Sequence, residues 1–232
     1  YPSVFFQGRF SGYIEDVIVL AHEAGHSVQN MLMERQGVLQ TYAFGPSYFT
    51  ESFAGMNELL VADHLWRTAT TSAARIYFLQ KFLDQATEIF KTGREALFED
   101  DLYALQNPTR LTADDLESRM QATGERFSTW YGTGSHRTEE WVNAVTFYMW
   151  PLYRVNYAYS KLLAIAYFTE FTRDPAGTAK RYEQLLSNGY DAPPEEILGR
   201  YLGLSLDPEE LVARAGAVIT ARLAELEVLY GK

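Results

Sequence analysis

Hydrophobic positions along the chain recur mostly at three- and four-residue steps, the spacing that places them on one face of an α-helix. The pattern is clearest between Gly12 and Gly37. Its apolar and small members are Ile14, Val17, Ile18, Ala21, Gly25, Val28, Met31 and Leu32. Acidic residues in the first turn, Glu15 and Asp16, and a glycine after the last turn are typical of a helix with defined ends.

The same periodicity predicts a second helix over about 50–66 and a long third helix over about 72–105. Capping residues mark four later helix starts, at Thr112, Thr138, Asp191 and Asp207. Gly189 and Gly203 are predicted helix stops. Only the first ten residues, which are rich in aromatic and β-branched side chains, predict a strand. The predicted fold is therefore mainly α, with a short N-terminal edge strand.

The composition is that of an ordinary folded domain, with 232 residues, 47% of them hydrophobic and 22% charged. The net charge of −10 argues against binding to nucleic acid or to an anionic membrane surface. No apolar run approaches the roughly 20 residues that cross a bilayer. The absence of cysteine excludes disulfides, thiol catalysis and cysteine metal ligands. We expect a cytoplasmic protein, because this composition suits a reducing compartment.

The segment His22-Glu23-Ala24-Gly25-His26 carries the most specific chemistry in the chain. Residues four apart share one face of a helix, so both imidazoles can reach one metal ion. Glu23 cannot join them as a ligand, but it projects beside the site and can accept a proton from an attacking water. Apolar and small flanking residues favour a helix that is buried around its histidines. The segment therefore predicts a metal site with a catalytic base.

A catalytic zinc site needs a third protein ligand and an open position. Without cysteine, that ligand must be His, Asp or Glu. Glu51 lies 25 residues after His26 and begins the next predicted helix, and Glu58 lies seven residues further along the same face. Either carboxylate can complete the site. The other would then accept a hydrogen bond from a ligand histidine or stabilise the helix start. Cobalt or manganese would suit the same ligands as zinc.

Two segments of the chain resemble the thimet oligopeptidase and oligoendopeptidase F peptidases. They are residues 20–27, around the two histidines, and residues 50–60, at the start of the second predicted helix. The resemblance implies one zinc ion whose third ligand is Glu51, with Glu58 as the partner of a ligand histidine. It also implies a zincin-like helical catalytic domain.

The resemblance extends over nearly the whole chain. Residues 2–10 are similar to the strand that precedes the zinc helix in that family, and residues 182–229 look like its closing helices. This implies that residues 1–232 are the C-terminal catalytic portion of an oligopeptidase. The N-terminal lobe, which forms the other wall of the family's cleft, is not in this chain.

Residues 147–158 are similar to the family's tyrosine-rich segment facing the zinc. The resemblance assigns Tyr157 as the donor to the developing oxyanion, a role that a tyrosine hydroxyl can fill. Tyr153 is the second candidate for that role. Tyr148 and Arg154 are implied contacts for the substrate.

The chain departs from the family's pattern at two positions. Thr146, five residues after Trp141, stands where the family has a histidine that contacts substrate, and Gln29 stands where relatives often carry another histidine. His136 and His64 are the remaining histidines that could replace them in space. These departures concern substrate contacts and leave the predicted metal ligands intact.

The leading interpretation is a zinc metalloendopeptidase that hydrolyses internal bonds of short oligopeptides. One alternative is a catalytically incomplete zinc- and peptide-binding fragment, which needs an N-terminal lobe or a partner chain to complete its cleft. Another is a related zinc carboxypeptidase, which would release single C-terminal residues.

Overall fold

The structure is a computed structural model that describes residues 10–105, 110–129, 131 and 140–231. The described residues are mainly helical and contain no strand, which confirms the mainly α part of the predicted fold class. The predicted edge strand falls on residues outside the described ones, apart from Phe10. None of the described helices has the length and apolar character needed to cross a lipid bilayer.

Ten α-helices lie in the described residues, together with a short 3₁₀ turn at Gln40–Tyr42. They are α1 Ile14–Arg35, α2 Ser47–Thr68, α3 Ser72–Tyr103, α4 Ala113–Glu125, α5 Glu140–Asn143, α6 Val145–Met149, α7 Arg154–Arg173, α8 Pro175–Ser187, α9 Pro194–Leu202 and α10 Pro208–Leu229. The chain divides into two compact units. The first comprises Tyr1–Thr87 and Tyr159–Lys232, and the second comprises Glu88–Ala158.

Several predicted helix ends are confirmed with their capping contacts. Thr112 and Asp115 form a reciprocal capping box at the start of α4. Asp207 accepts hydrogen bonds from two backbone N–H groups in the first turn of α10. Gly203 follows α9 with φ of 65°, a left-handed conformation that glycine adopts without steric conflict.

Two helix starts differ from the sequence prediction. Helix α2 begins at Ser47, one turn before the predicted start near residue 50. Asp191 does not cap α9; the capping position is Pro193, and the Asp191 carboxylate instead accepts a hydrogen bond from Arg200. The proline preorganises the entry to α9, so no side-chain cap is required there. The predicted start at Thr138 lies outside the described residues.

The core of the first unit forms around the middle of α7. All residues from 162 to 168 are buried there, as expected for a helix that is apolar on every side. Phe53 of α2 stacks on Tyr167 with ring centroids 6.1 Å apart, and Phe82 of α3 packs on Phe168 at 5.1 Å. This packing holds α2, which carries the candidate carboxylates, against a rigid central helix.

The second unit has a smaller core of its own. Phe98, Met120 and Tyr131 are buried in it, and Trp141 and Phe147 pack against them. The unit therefore has an apolar centre that fixes α3, α4 and the short helices α5 and α6.

Candidate metal centre

Helices α1 and α2 approach each other at Gly25 with no room for a side chain. A Cβ on Gly25 would lie 2.7 Å from the Cα of Ala54 and 3.1 Å from the carbonyl oxygen of Phe53. Four residues earlier on α1, the carbonyl oxygen of Ala21 accepts a hydrogen bond of 3.3 Å from Asn57 Nδ2. The small residues thus place the histidine-bearing turns of α1 directly against the beginning of α2.

Three predicted side chains converge at this crossing. Glu51 Oε2 lies 3.3 Å from His22 Nε2 and 3.7 Å from His26 Nε2. One candidate ligand atom from each residue lies within 4.8 Å of the other two. Two ligands bound tetrahedrally to one zinc ion lie roughly 3.4 Å apart, because each bond is about 2.1 Å long. The spacing of the three side chains therefore suits a shared ion.

The surroundings of the Glu51 carboxylate indicate whether these residues fit a cation. Its Oε2 atom is buried and accepts no hydrogen bond from the described residues, although it faces the two imidazoles. A buried carboxylate oxygen without a donor is unfavourable, and a bound cation removes that penalty. Two imidazoles and one carboxylate also form a donor set that zinc prefers. The residues present therefore fit a zinc ion.

Glu58 contacts the opposite side of the His22 ring. Its Oε1 lies 2.7 Å from His22 Nδ1, and its side chain is nearly buried. Because a carboxylate can only accept, Nδ1 carries a proton, and in the neutral imidazole the lone pair is therefore on Nε2, on the side of Glu51. The structure thus gives the two carboxylates different places, with Glu51 among the candidate ligand atoms and Glu58 behind His22.

The local charges suit a cation. Burial by itself lowers the pKa of His22, but the contacts with Glu51 and Glu58 outweigh it and raise the pKa to about 9. Burial lowers the pKa of His26, and the nearby charge of Glu51 offsets this only in part. Without a metal, the two carboxylates therefore favour the doubly protonated, positively charged His22 ring, which supplies positive charge where a metal ion would supply it.

Glu23 lies in the helical turn between the two histidines. Its side chain is half-buried and accepts no hydrogen bond from the described part of the chain. The carboxylate is close enough to His26 for its charge to favour the protonated imidazole. Its lone pairs are thus available to a ligand or to water beside the metal candidates.

The predicted oxyanion donors belong to the second unit. The rings of Tyr153 and Tyr157 pack edge to face with centroids 5.4 Å apart. The Arg154 guanidinium lies 5.1 Å from the centre of the Tyr157 ring and donates a hydrogen bond to Glu95. Arg154, predicted to contact substrate, therefore has a buried acidic partner and supports the Tyr157 ring.

A buried carboxylate that sequence reasoning missed fixes the start of α7. Glu99 is 1% exposed and accepts hydrogen bonds from the backbone N–H groups of Leu152 at 3.1 Å and Arg154 at 2.9 Å. Leu152 has φ of 58°, an uncommon left-handed conformation for a leucine. Glu99 thus holds the segment from which Tyr153 and Tyr157 project.

Two other positions singled out in the sequence analysis, Tyr148 and Thr146, are more exposed than Glu99. Tyr148 is 59% exposed, and its hydroxyl donates to the carbonyl oxygen of Trp141 at 3.1 Å. Thr146 lines a surface groove of the second unit together with Lys91 and Glu140. Both residues are accessible to a ligand on that unit.

The departure at Gln29 has a structural explanation in the first unit. Gln29 is 3% exposed, and its Nε2 donates to Tyr190 Oη at 2.9 Å. The same hydroxyl lies 3.2 Å from Thr50 Oγ1, one residue before Glu51. Gln29 therefore helps to fix the turn that carries Glu51. Sequence reasoning did not find Tyr190, because it lies 161 residues from Gln29 and follows no motif.

The remaining histidines do not join the metal candidates in the described structure. His64 is exposed on α2, roughly 20 Å along the helix axis from Glu51 at 1.5 Å per residue. His136 lies outside the described residues.

Lys161 is a further residue near the centre that sequence reasoning missed. It is 8% exposed, and its Nζ donates to Glu58 Oε2. A signal was present in the sequence, because Lys161 is the only charged residue in the run from 155 to 169. Such an isolated charge in an apolar helix requires a partner.

Comparisons with known proteins agree on one family. The model described as Peptidase family M3 matches residues 11–216. The chain is 23% identical to oligoendopeptidase F, chromosomal, from Lactococcus lactis subsp. cremoris, over 97% of this chain and 37% of that protein.

Two solved structures have the same fold. One is the crystal structure of a presumed peptidase from Chlamydophila abortus, with a TM-score of 0.77 and 25% identity over 95% of this chain and 37% of that chain. The other is oligoendopeptidase-F from Enterococcus faecium, with a TM-score of 0.72 and 20% identity over 94% of this chain and 40% of that chain. The chain therefore spans well under half the length of these relatives.

Proposed function

The chain belongs to peptidase family M3, and on that premise we propose that it is the catalytic portion of a zinc-dependent oligopeptidase. The observation that carries the proposal is the buried oxygen of Glu51, which faces His22 and His26 and accepts no hydrogen bond from the part of the chain that the structure describes. The Lactococcus relative is an oligoendopeptidase by name, which supports cleavage at internal bonds of short peptides.

The proposed ligands are His22, His26 and Glu51. A zinc ion held there would supply Lewis-acid chemistry, polarising a peptide carbonyl and making water easier to deprotonate. Glu23 accepts the proton of the attacking water and then delivers it to the departing amine. Its half-buried carboxylate accepts no hydrogen bond from the described residues, so its lone pairs are open to that proton. Glu58 keeps the proton of His22 on Nδ1 throughout.

Tyr157 is proposed to donate its hydroxyl hydrogen bond to the oxyanion that develops on the peptide. Arg154 over its ring and the edge-to-face contact with Tyr153 support this role, since both restrain the side chain. Tyr148 is proposed as a substrate contact on the basis of its exposure. The guanidinium of Arg154 is hydrogen-bonded to Glu95, and we therefore propose that Arg154 supports the Tyr157 ring.

Residues 1–232 are proposed to be the C-terminal catalytic portion of a longer peptidase. The coverage of 37% of the Lactococcus relative supports this, because the relative contains much more chain than the part that aligns. The other wall of a peptide-binding cleft would then come from an N-terminal lobe or a partner chain. A zinc-binding portion that cleaves peptides only with that lobe is the second candidate function.

The test is digestion of a mixed pool of short peptides by the zinc-loaded chain, with products identified by mass spectrometry. Glu23→Gln removes the proposed base and keeps the shape of the side chain. Glu34→Gln, an exposed glutamate on the same helix, is the matched control. We expect internal cuts with the wild-type and control chains and none with Glu23→Gln.

Each other outcome has a distinct meaning. Internal cuts that persist in Glu23→Gln would contradict the mechanism. Release of single C-terminal residues would indicate a carboxypeptidase. Bound zinc without any cuts would support the second candidate function.

A further inference from the structure

Lys161 places a positive charge inside the most apolar part of the first unit. The residue is 8% exposed, and residues 160–168 of α7 are all buried around it. An ammonium group in such surroundings is unfavourable unless a counter-charge and hydrogen bonds compensate it. The compensation comes from α2, where Glu58, itself 6% exposed, accepts a hydrogen bond from Nζ.

Three side chains form a continuous chain of contacts from α7 to α1. Lys161 contacts one carboxylate oxygen of Glu58, and the other oxygen lies 2.7 Å from His22 Nδ1. The far nitrogen of the same imidazole lies 3.3 Å from the proposed ligand atom of Glu51. The chain of contacts therefore ends at the proposed metal site.

The packing of α2 on α7 brings Lys161 close to the helix that carries Glu58. A Cβ on Gly55 would lie 3.2 Å from Ala164 Cβ and 3.9 Å from Lys161 Cδ. Helix α7 thus runs close to the helix that carries Glu58. The side chain of Lys161 passes beside Gly55, which lies three residues before Glu58 on α2.

We propose that Lys161 is a positioning residue for the metal centre: through Glu58, it holds His22 with Nε2 directed at the metal. The inference rests on the proposed zinc site. A charged carboxylate is a stronger acceptor for the Nδ1 proton than a neutral one, and it makes the imidazole a better metal ligand. The ammonium of Lys161 donates to Oε2 and supplies the counter-charge that a buried carboxylate needs, while Oε1 faces Nδ1.

A purely structural role for Lys161 would give a different result. The first unit has another buried acid on α7, Glu170, which pairs with Arg214 at 3.1 Å and is 3% exposed. Neither of these residues contacts the three metal candidates in the described structure. Glu170 also accepts a hydrogen bond from Arg173, so replacing Arg214 reports on the general effect of removing one of two cations from a buried carboxylate.

The experiment measures the zinc dissociation constant of the full 232-residue chain by competition with a chromophoric chelator. The variants are Lys161→Met, Lys161→Arg, Glu58→Gln, the Lys161→Met/Glu58→Gln double variant and the control Arg214→Met. Circular dichroism and thermal unfolding of each metal-free protein report whether it is folded. Lys161→Met should weaken zinc binding by about 10- to 100-fold, the usual effect of removing a partner of a metal ligand.

Two comparisons decide the proposal. One asks whether the positive charge at position 161 matters, and the other asks whether the effects of replacing Lys161 and Glu58 are coupled. Lys161→Arg should bind zinc within about threefold of wild type, and Arg214→Met should leave zinc binding unchanged. The double variant should bind zinc about as well as Glu58→Gln alone, because Lys161 acts only through Glu58. Losses that multiply in the double variant would overturn the proposal.

The remaining outcomes separate this proposal from the proposed function. A wild-type chain that binds no zinc overturns both. Zinc binding that is normal in wild type and unchanged by Lys161→Met overturns the role of Lys161 alone. If Lys161→Met does not fold, Lys161→Gln carries the test, because it retains an N–H donor without the charge. A folded Lys161→Gln protein with wild-type zinc affinity again overturns the proposal.

Discussion

Gly25 of α1 and Ala54 of α2 are in backbone contact, and a Cβ on Gly25 would lie 2.7 Å from the Cα of Ala54. A proposed metal ligand lies near each of these residues: His26 directly follows Gly25, and Glu51 lies three residues before Ala54. The helix crossing and the metal centre therefore depend on the same close approach. A change that separates the helices must also separate the ligands.

Gly25→Ala should therefore destabilise the protein and weaken zinc binding together. The new methyl group meets backbone atoms, which cannot move aside as a side chain can. Overpacking of this kind costs about 1–3 kcal/mol, more than alanine gains in helix propensity. Urea unfolding of the metal-free chain measures the first effect, and chelator competition measures the second.

The matched control is Gly216→Ala in α10. A Cβ on this exposed helical glycine meets nothing within 4 Å. The same substitution should stabilise the protein there by about 0.5–1 kcal/mol, and zinc affinity should not change. A Gly25→Ala protein as stable as wild type would contradict the described helix crossing.

The two carboxylates of α2 should differ in their effect on zinc. Glu51→Gln removes a proposed ligand and should weaken zinc binding by well over 100-fold. Glu58→Gln keeps an oxygen acceptor for His22 Nδ1 and should weaken it by about 10- to 100-fold. Chelator competition on the two variants in parallel gives this comparison. The opposite order would exchange the proposed roles of the two residues.

Metal removal should lower the temperature of unfolding. A ligand that binds only the folded chain stabilises it by about 2.7 kcal/mol at 100 times its dissociation constant. Zinc should raise the melting temperature of the chelator-treated protein in a concentration-dependent way. Glu51→Gln should lose most of this response. An equal response in both proteins would place the stabilising zinc elsewhere.

Helix periodicity and the HExxH motif were readable from the sequence because both depend on residues a few positions apart. Residue spacing alone does not identify the third ligand. Glu51 and Glu58 share one face of α2 and differ by about 10 Å along its axis. Only the position at which α1 crosses α2 distinguishes them, and that position is set by Gly25 and Ala54. The family resemblance implies Glu51, and that choice stays a prediction.

Residues that act through distant partners were missed for the same reason. Lys161 meets Glu58 across 103 residues, and Tyr190 meets Gln29 across 161 residues. An isolated lysine in an apolar run indicates that a partner exists, but not which residue it is. Asp191 was misassigned as a cap because Pro193 fills that position, while Arg200 binds the aspartate.

Tyr190→Phe should reduce stability through the loss of one hydroxyl. The change leaves the buried Gln29 amide without its acceptor, which costs about 1–3 kcal/mol. Urea unfolding measures the loss. Tyr201→Phe is the control, because Tyr201 donates to the partly exposed Asn188, where water can replace it, and should cost less. Equal effects would contradict the importance of the buried position.

Tyr157→Phe isolates the hydroxyl that is proposed to stabilise the oxyanion. Phenylalanine retains the ring and hence the packing against Tyr153 and beneath Arg154. If the hydroxyl acts only in the transition state, kcat should fall by about 100- to 1,000-fold with little change in KM. Tyr153→Phe is the comparison, with a smaller loss expected because Tyr153 is the second candidate. Hydrolysis of a fluorogenic peptide, using the form of the peptidase that proves active in the digestion experiment, gives both constants. A loss confined to KM would make Tyr157 a binding residue, and a larger kcat loss in Tyr153→Phe would transfer the oxyanion role to Tyr153.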